Sequence, residues 1–126
     1  MHENELSGII LDTAFRIHKQ LGPGLLESVY EEIMYYELVN RSGLSVHKQV
    51  PIPVTWTNTR MELGFRADLI VEKKVLIELK SVEALAPVHF KQVLTYLKLT
   101  GIKLRMLINF NEALLKNGIK RVVNNF

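Results

Sequence analysis

Asp68, Glu78 and Lys80 are the residues of this chain whose types and spacing are best suited to chemistry. They lie in two segments, residues 62–71 and 75–80, whose β-branched and aliphatic residues predict strands. Carboxylate oxygens are the ligands that a hard divalent cation prefers, and a lysine adds a positive charge that can stabilise a phosphate oxygen. The three side chains therefore form a candidate set for metal-assisted chemistry on a phosphate ester.

The charged turn at residues 72–74 predicts how these two strands pair. If the turn has three residues, Asp68 lies opposite Glu78 and Arg66 lies opposite Lys80. Directly opposed residues have Cβ atoms roughly 4.5–5.5 Å apart. Two carboxylates at that separation repel each other unless a cation lies between them, and Mg²⁺ or Mn²⁺ fits that role. A metal there would lower the pKa of a bound water, which suits phosphodiester hydrolysis.

The same three residues allow a second interpretation, a ladder of ion pairs in which Lys80 neutralises Asp68 and Glu78. Strands with the pattern E-x-K are common, so the triplet alone favours the ladder. The strand around Glu78 is apolar on both faces, which predicts burial on both sides and makes an unpaired charge costly. The opposed aspartate and these apolar surroundings bring the two interpretations to near parity.

The surrounding sequence predicts the elements that would position these residues. In chain order they are helices over residues 6–21 and about 25–40, strands over 46–56, 62–71 and 75–80, a helix from 87 to about 100, a strand over 104–110, and a tail at 119–123 that is either a strand or a helical turn. Pro51 and Pro53 place the first strand at a sheet edge or make it irregular. The order predicts an α/β (α+β mixed) fold, with a central mixed sheet of about four strands flanked by helices.

Composition limits the classes of protein that the chain can represent. Its 126 residues suit one domain, 1–126, and 48% hydrophobic with 23% charged residues is a globular balance. The absence of cysteine excludes disulfides, thiolate zinc sites and cysteine nucleophiles. We find no apolar run long enough to cross a membrane and no signal-peptide pattern, so we expect a cytoplasmic protein. A net charge of +3 permits nucleic-acid binding without requiring it.

Polar residues on the predicted helices could support the site. His89, Gln92 and Tyr96 form a stripe on the third helix that is suited to lining a cleft, although a surface or capping role is favoured for His89. For Gln92, hydrogen bonding at a sheet edge is an equal alternative. Tyr30 is predicted to be a core aromatic residue with a bonded hydroxyl. Glu27 lies in the first turn of the second helix, where the helix dipole stabilises a carboxylate, and this role is an equal alternative to a role in the site.

Several ordered motifs together resemble a known superfamily. Asp68 followed by Glu78-Leu79-Lys80 resembles the D…(D/E)-x-K signature of the PD-(D/E)XK nucleases, with Ala67 in place of the signature proline. Residues 24–30 have the form G-x-x-E-x-x-Y and resemble the GxxExxY family of small bacterial and archaeal proteins. The other motifs of the resemblance are Phe65-Arg66-Ala67-Asp68, Ile77-Glu78-Leu79-Lys80-Ser81, His89…Gln92…Tyr96-Leu97 and Leu107-Ile108-Asn109-Phe110.

The resemblance implies a restriction-endonuclease-like core and a metal site. It implies that Mg²⁺ or Mn²⁺ is bound by Asp68, Glu78 and the backbone carbonyl of Leu79, with Glu27 joining from the early helix. It also implies that Gln92 supports the lysine or the attacking water. Residues expected to bind substrate or support the site are Tyr30, Arg66, His89 and Tyr96.

The expected function is a nuclease that hydrolyses nucleic-acid phosphodiester bonds, with DNA as the expected substrate. A catalytically silent module that binds nucleic acid or protein is the alternative. The intact set of Asp68, Glu78 and Lys80 favours the enzyme. Because so small a domain has little surface for a long recognition site, we expect weakly specific or structure-selective cutting, and a homodimer is one arrangement that would extend the surface.

Overall fold

A computed structural model of the protein describes residues 1–83 and 101–123. Its elements are α1 (Glu3–Leu21), α2 (Glu27–Tyr36), a π-helical turn (Glu37–Arg41), β1 (Val46–Trp56), β2 (Thr59–Val71), β3 (Val75–Lys80), β4 (Leu104–Asn109), a 3₁₀ turn (Leu115–Gly118) and β5 (Ile119–Val123). The helix predicted from residue 87 lies outside the described residues, and so do its residues His89, Gln92 and Tyr96.

One five-stranded mixed sheet organises the described chain, with the strands in the order β1-β2-β3-β4-β5. β3 and β4 are parallel, and the other neighbouring strands are antiparallel. The mixed α/β class is confirmed, but the predicted number of about four strands is one too few. The fifth strand is the tail, which pairs with β4 from Ile108–Ile119 to Leu104–Val123. Since β4 is buried along its whole length, its backbone groups need partners on both sides.

α1 and α2 cover one face of the sheet. The hydrophobic residues of these helices that are at most 4% exposed are Leu6, Ile10, Ala14, Ile17, Tyr30 and Met34. α1 ends before Gly22, whose φ of 68° lies in the positive range that glycine adopts without strain. The second helix is shorter than predicted, because its last part opens into the π-helical turn while Leu38 remains buried. Of the helices among residues 1–83 and 101–123, none has the length and apolar content to span a membrane.

The structure confirms two predictions, an edge position for β1 and burial of β3 on both faces. β1 is an edge strand with a register shift between Ile52 and Val54, next to the prolines that cannot donate a ladder hydrogen bond. β3 has the predicted bounds and is buried from Val75 to Leu79, while Lys80 is half-buried. The carboxylate of Glu78 therefore lies within a strand that is covered on both sides.

Candidate active site

The predicted register of β2 against β3 is confirmed beside the turn. The pairs run from Val71–Val75 to Leu69–Ile77. Lys74 donates a backbone hydrogen bond to the carbonyl of Val71 at 2.9 Å, which closes the three-residue turn as predicted. Because of this turn, Asp68 on β2 and the end of β3 lie in the same region of the sheet.

Beyond Leu69 the predicted pairing is wrong. Within the described strands, the ladder does not extend to Asp68–Glu78 or Arg66–Lys80. Asp68 Oδ2 instead accepts a hydrogen bond from the backbone N–H of Leu79 at 2.7 Å. This carboxylate oxygen takes the place of a main-chain acceptor on β2 and fixes the orientation of the carboxylate relative to β3.

The Asp68 carboxylate lies among groups of both charges in a partly buried position. Burial raises the pKa of Asp68, and the negative charge of Glu27 raises it further. The Leu79 N–H and the Lys80 ammonium lower this pKa in part. Asp68 Oδ1 lies 3.5 Å from Nε2 of Gln49, a long hydrogen bond. The carboxylate is therefore oriented by neutral donors and is only partly compensated in charge.

Glu78 is 8% exposed and has a buried cationic partner that was not predicted from the sequence. Arg105, on the neighbouring β4, is fully buried and forms an ion pair with Glu78 Oε2. Burial raises the pKa of Glu78, the charges of Arg105 and Lys80 lower it, and Asp68 raises it. Burial also lowers the pKa of Arg105. The sequence could have predicted this pair, because Arg105 is the one charged residue in the apolar strand Leu104–Asn109 and a buried charge requires a partner.

The ion pairs at the site therefore differ from those of the predicted ladder. In the predicted ladder, Lys80 neutralises both carboxylates. In the structure, Arg105 forms the ion pair with Glu78. Lys80 still lowers the pKa of both Asp68 and Glu78 through its charge, so it lies within electrostatic range of the two carboxylates. Lys80 is half-buried at the end of β3.

Glu27 is the exposed first residue of α2, and the loop before it is fastened to the end of β3. Ser81 Oγ donates to the carbonyl of Leu25 at 2.7 Å. The buried Tyr30 hydroxyl donates to the Gly22 carbonyl at 2.6 Å and accepts from the Leu25 N–H at 3.3 Å. Tyr30 is thus a core residue with a bonded hydroxyl, as predicted, and it holds the loop that leads to Glu27.

A second helix carboxylate, Glu31, was also missed. It is 9% exposed, and burial raises its pKa, to which the charge of Asp68 adds. Nε2 of Gln49 donates to Oε1 of Glu31 as well as making the long contact to Asp68. Glu31 could have been predicted to lie near the site, because it follows Glu27 by four residues and residues four apart lie on the same side of a helix.

Arg66 contacts the site through a different residue from the one predicted. It is exposed, and its Nη1 donates to the backbone carbonyl of Gln49 at 3.1 Å. Arg66 therefore supports β1 rather than lying opposite Lys80. The site-supporting roles predicted for His89, Gln92 and Tyr96 concern residues outside the described ranges.

The donor set fits a hard divalent cation held by few protein ligands. Asp68 and Glu78 are carboxylates in a partly desolvated place, where burial raises the pKa of Glu78 and the charge of Asp68 adds to that rise. In residues 1–83 and 101–123, no three histidine, cysteine, aspartate or glutamate side chains are grouped to hold a metal. Mg²⁺ commonly uses one or two carboxylates and keeps several waters, so such a group is not required.

The comparisons with known proteins identify the superfamily of the chain. No curated protein and no solved structure matches the chain. The family model of the PD-(D/E)XK nuclease superfamily matches residues 4–122, which include Asp68, Glu78 and Lys80. Since the match covers nearly the whole chain, the chain belongs to the PD-(D/E)XK nuclease superfamily.

Proposed function

We propose that the chain is a metal-dependent nuclease that hydrolyses phosphodiester bonds in nucleic acid, with DNA as the expected substrate. The observation that carries the proposal is the hydrogen bond from the Leu79 N–H to Asp68 Oδ2. It joins an incompletely compensated carboxylate to the strand that presents Glu78 and Lys80. Two carboxylates and a lysine held in this way suit the binding of a cation and an anionic phosphate together.

Asp68 and Glu78 would hold Mg²⁺ or Mn²⁺, together with the backbone carbonyl of Leu79. Glu27 of α2, which is not grouped with them as a third carboxylate in the described residues, would contact the metal through one of its waters. When bound, the metal supplies a water of lowered pKa and stabilises negative charge on the phosphate oxygens. Glu78 can contribute Oε1, because its Oε2 is engaged by Arg105. The buried arginine therefore restricts the directions in which the glutamate can point.

Lys80 would place its ammonium against a phosphate oxygen of the substrate. A lysine is a compact point charge, so it can follow the negative charge that develops on the phosphate without bidentate geometry. Gln92 would assist Lys80 or the attacking water, as the resemblance to the superfamily implies. Tyr30 would act indirectly, since it holds the loop that precedes Glu27.

Membership of the GxxExxY family is part of the proposal, and it rests on the motif at residues 24–30. The net charge of +3 is compatible with a nucleic-acid partner. We propose one domain over residues 1–126, a cytoplasmic location, and weakly specific or structure-selective cutting, with a homodimer extending the contact surface.

A catalytically silent binding module is the second candidate, and the Arg105–Glu78 ion pair favours it. A glutamate that already has a buried cationic partner does not need a metal to compensate its charge. In that case the fold would hold nucleic acid or a protein without cutting. The two candidates differ in whether metal and Lys80 change the covalent state of the substrate.

The test is a panel of end-labelled single-stranded, duplex and branched DNA and RNA, each incubated with Mg²⁺, Mn²⁺ or chelator. The nuclease proposal predicts cleavage of at least one substrate that requires metal and is lost in Asp68→Asn. Asp12→Asn, which changes an exposed aspartate on α1, is the matched control and should cut like the parent. Tight binding by the parent without cleavage of any substrate would instead establish the binding module.

A further inference from the structure

Gln49 has an unusual backbone conformation for a strand residue. Its φ is 53°, in the left-handed region that residues with a side chain rarely adopt. The pairs on either side of it, Lys48–Leu69 and Val50–Ala67, are regular, so the distortion is confined to one residue. A strained residue within otherwise regular pairing persists only where its surroundings hold it, and such residues concentrate at functional sites.

Three contacts hold Gln49 in this conformation, and all involve residues around the candidate site. The guanidinium of Arg66 donates to its backbone carbonyl at 3.1 Å. Its side-chain amide donates to Glu31 and makes the 3.5 Å contact to Asp68 Oδ1. Gln49 on β1 and Asp68 on β2 are the residues between these two regular pairs. The amide group thus links a helix carboxylate to the aspartate that we assign to the metal.

We propose that Gln49 is a positioning residue that fixes the rotation of the Asp68 carboxylate by holding Oδ1 while the Leu79 N–H holds Oδ2. With a donor on each oxygen, the carboxylate plane is restrained, and the remaining lone pairs keep a set direction. Glu31 braces the amide of Gln49 from α2. Contacts of this kind, made to a ligand by residues that do not touch the metal, typically change metal affinity 10–100-fold.

The role for a metal in this inference rests on the proposed function, but the restraint on Asp68 does not. Gln49→Gly removes the amide and accommodates the positive φ. Lys73→Gly is a matched control, because Lys73 is exposed in the β2–β3 turn with a φ of 57°. Both variants should melt at or above the melting temperature of the parent.

The first measurement is amide hydrogen exchange by NMR without metal. Gln49→Gly should speed exchange of the Leu79 amide about 10-fold, because a freer carboxylate protects it less, while the amide of Ile77 should be unchanged. The second measurement is the dissociation constant for Mn²⁺, obtained from thermal melting at increasing metal concentration. Gln49→Gly should raise this dissociation constant about 10-fold. Lys73→Gly should change neither quantity.

Unchanged Leu79 exchange in Gln49→Gly would overturn the positioning role. A lower melting temperature together with unchanged Leu79 exchange would mean that Gln49 only stabilises the fold, and this too would overturn it. If the parent itself gains no stability from Mn²⁺, the metal part of the proposed function fails, while faster Leu79 exchange would still establish that Gln49 holds Asp68.

Discussion

Arg105 on β4 and Glu78 on β3 form an ion pair inside the sheet, and both residues are less than one tenth exposed. The pair lies between two parallel strands, with Arg105 in register with Leu76. Removing one partner of a buried pair leaves an uncompensated charge, whereas replacing both can be nearly neutral. The contribution of this pair to stability is therefore measurable by single and double substitution.

We expect Arg105→Met to lower the free energy of unfolding by about 3–5 kcal/mol, because Glu78 would remain buried without its cation. Adding Glu78→Gln to Arg105→Met should recover part of that loss. Urea unfolding measures both values. Arg41→Met is the control, since Arg41 is exposed and pairs with Glu37 one helical turn away, and such solvent-accessible pairs contribute less than about 1 kcal/mol. Equal losses for Arg105→Met and Arg41→Met would contradict the structural role of the buried pair.

Stability without metal should fall as pH rises through the range in which Asp68 titrates. A carboxyl group whose pKa is raised by folding binds its proton more tightly in the folded state, so folded molecules hold more protons between the ordinary and the raised pKa. The penalty is absent below the ordinary value, about 4, and complete above the raised value. Asp68→Asn should make the free energy of unfolding less dependent on pH across this window.

Urea unfolding with chelator from acid to neutral pH gives the comparison, and the difference between parent and variant isolates Asp68. The exposed Asp12→Asn is the control and should leave the pH dependence nearly unchanged. If Asp68→Asn were less stable than the parent at neutral pH and equally stable in acid, the sign would be reversed, and Asp68 would be a stabilising ion-pair partner.

Lys80 separates binding of the metal from catalysis, because an ammonium group cannot be a metal ligand. Lys80→Ala should slow cleavage by about 10²-fold or more, the scale expected for one preorganised electrostatic group. Its affinity for Mn²⁺ should stay close to that of the parent. Lys120→Ala, which removes an exposed lysine from β5, should cut normally. Near-normal turnover by Lys80→Ala would remove Lys80 from the catalytic set.

The sequence predicted the elements well where the hydrophobic pattern agrees with the residues that form turns or interrupt strands. Residues 75–80 form the predicted strand with the predicted bounds, since a short apolar run follows a charged turn. Pro51 and Pro53 identified the edge strand, because a residue without an N–H is excluded from a central ladder. The tail stayed ambiguous because a five-residue segment has too few periods to distinguish a strand from a helical turn.

The site was predicted less completely, since its details depend on side chains that compete with the ladder. Asp68 ends the regular pairing by accepting the Leu79 N–H, and alternation along a strand contains no sign of such an exchange. The left-handed φ of Gln49 is likewise invisible, because glutamine gives no indication of that conformation. Arg105 could have been identified, since an arginine within an apolar strand predicts a buried anionic partner.

Thermal melting of the parent and of Asp68→Asn tests whether Asp68 binds a divalent metal, and it requires no knowledge of the substrate. At about ten times its dissociation constant, a metal stabilises the folded state by roughly 1.4 kcal/mol, since the effect follows RT ln(1 + [L]/Kd). Millimolar Mg²⁺ or Mn²⁺ should raise the melting temperature of the parent by about 3–6 °C. Asp68→Asn should melt no lower than the parent in chelator and should not respond to metal. A parent indifferent to metal, together with a destabilised Asp68→Asn, would contradict the metal site.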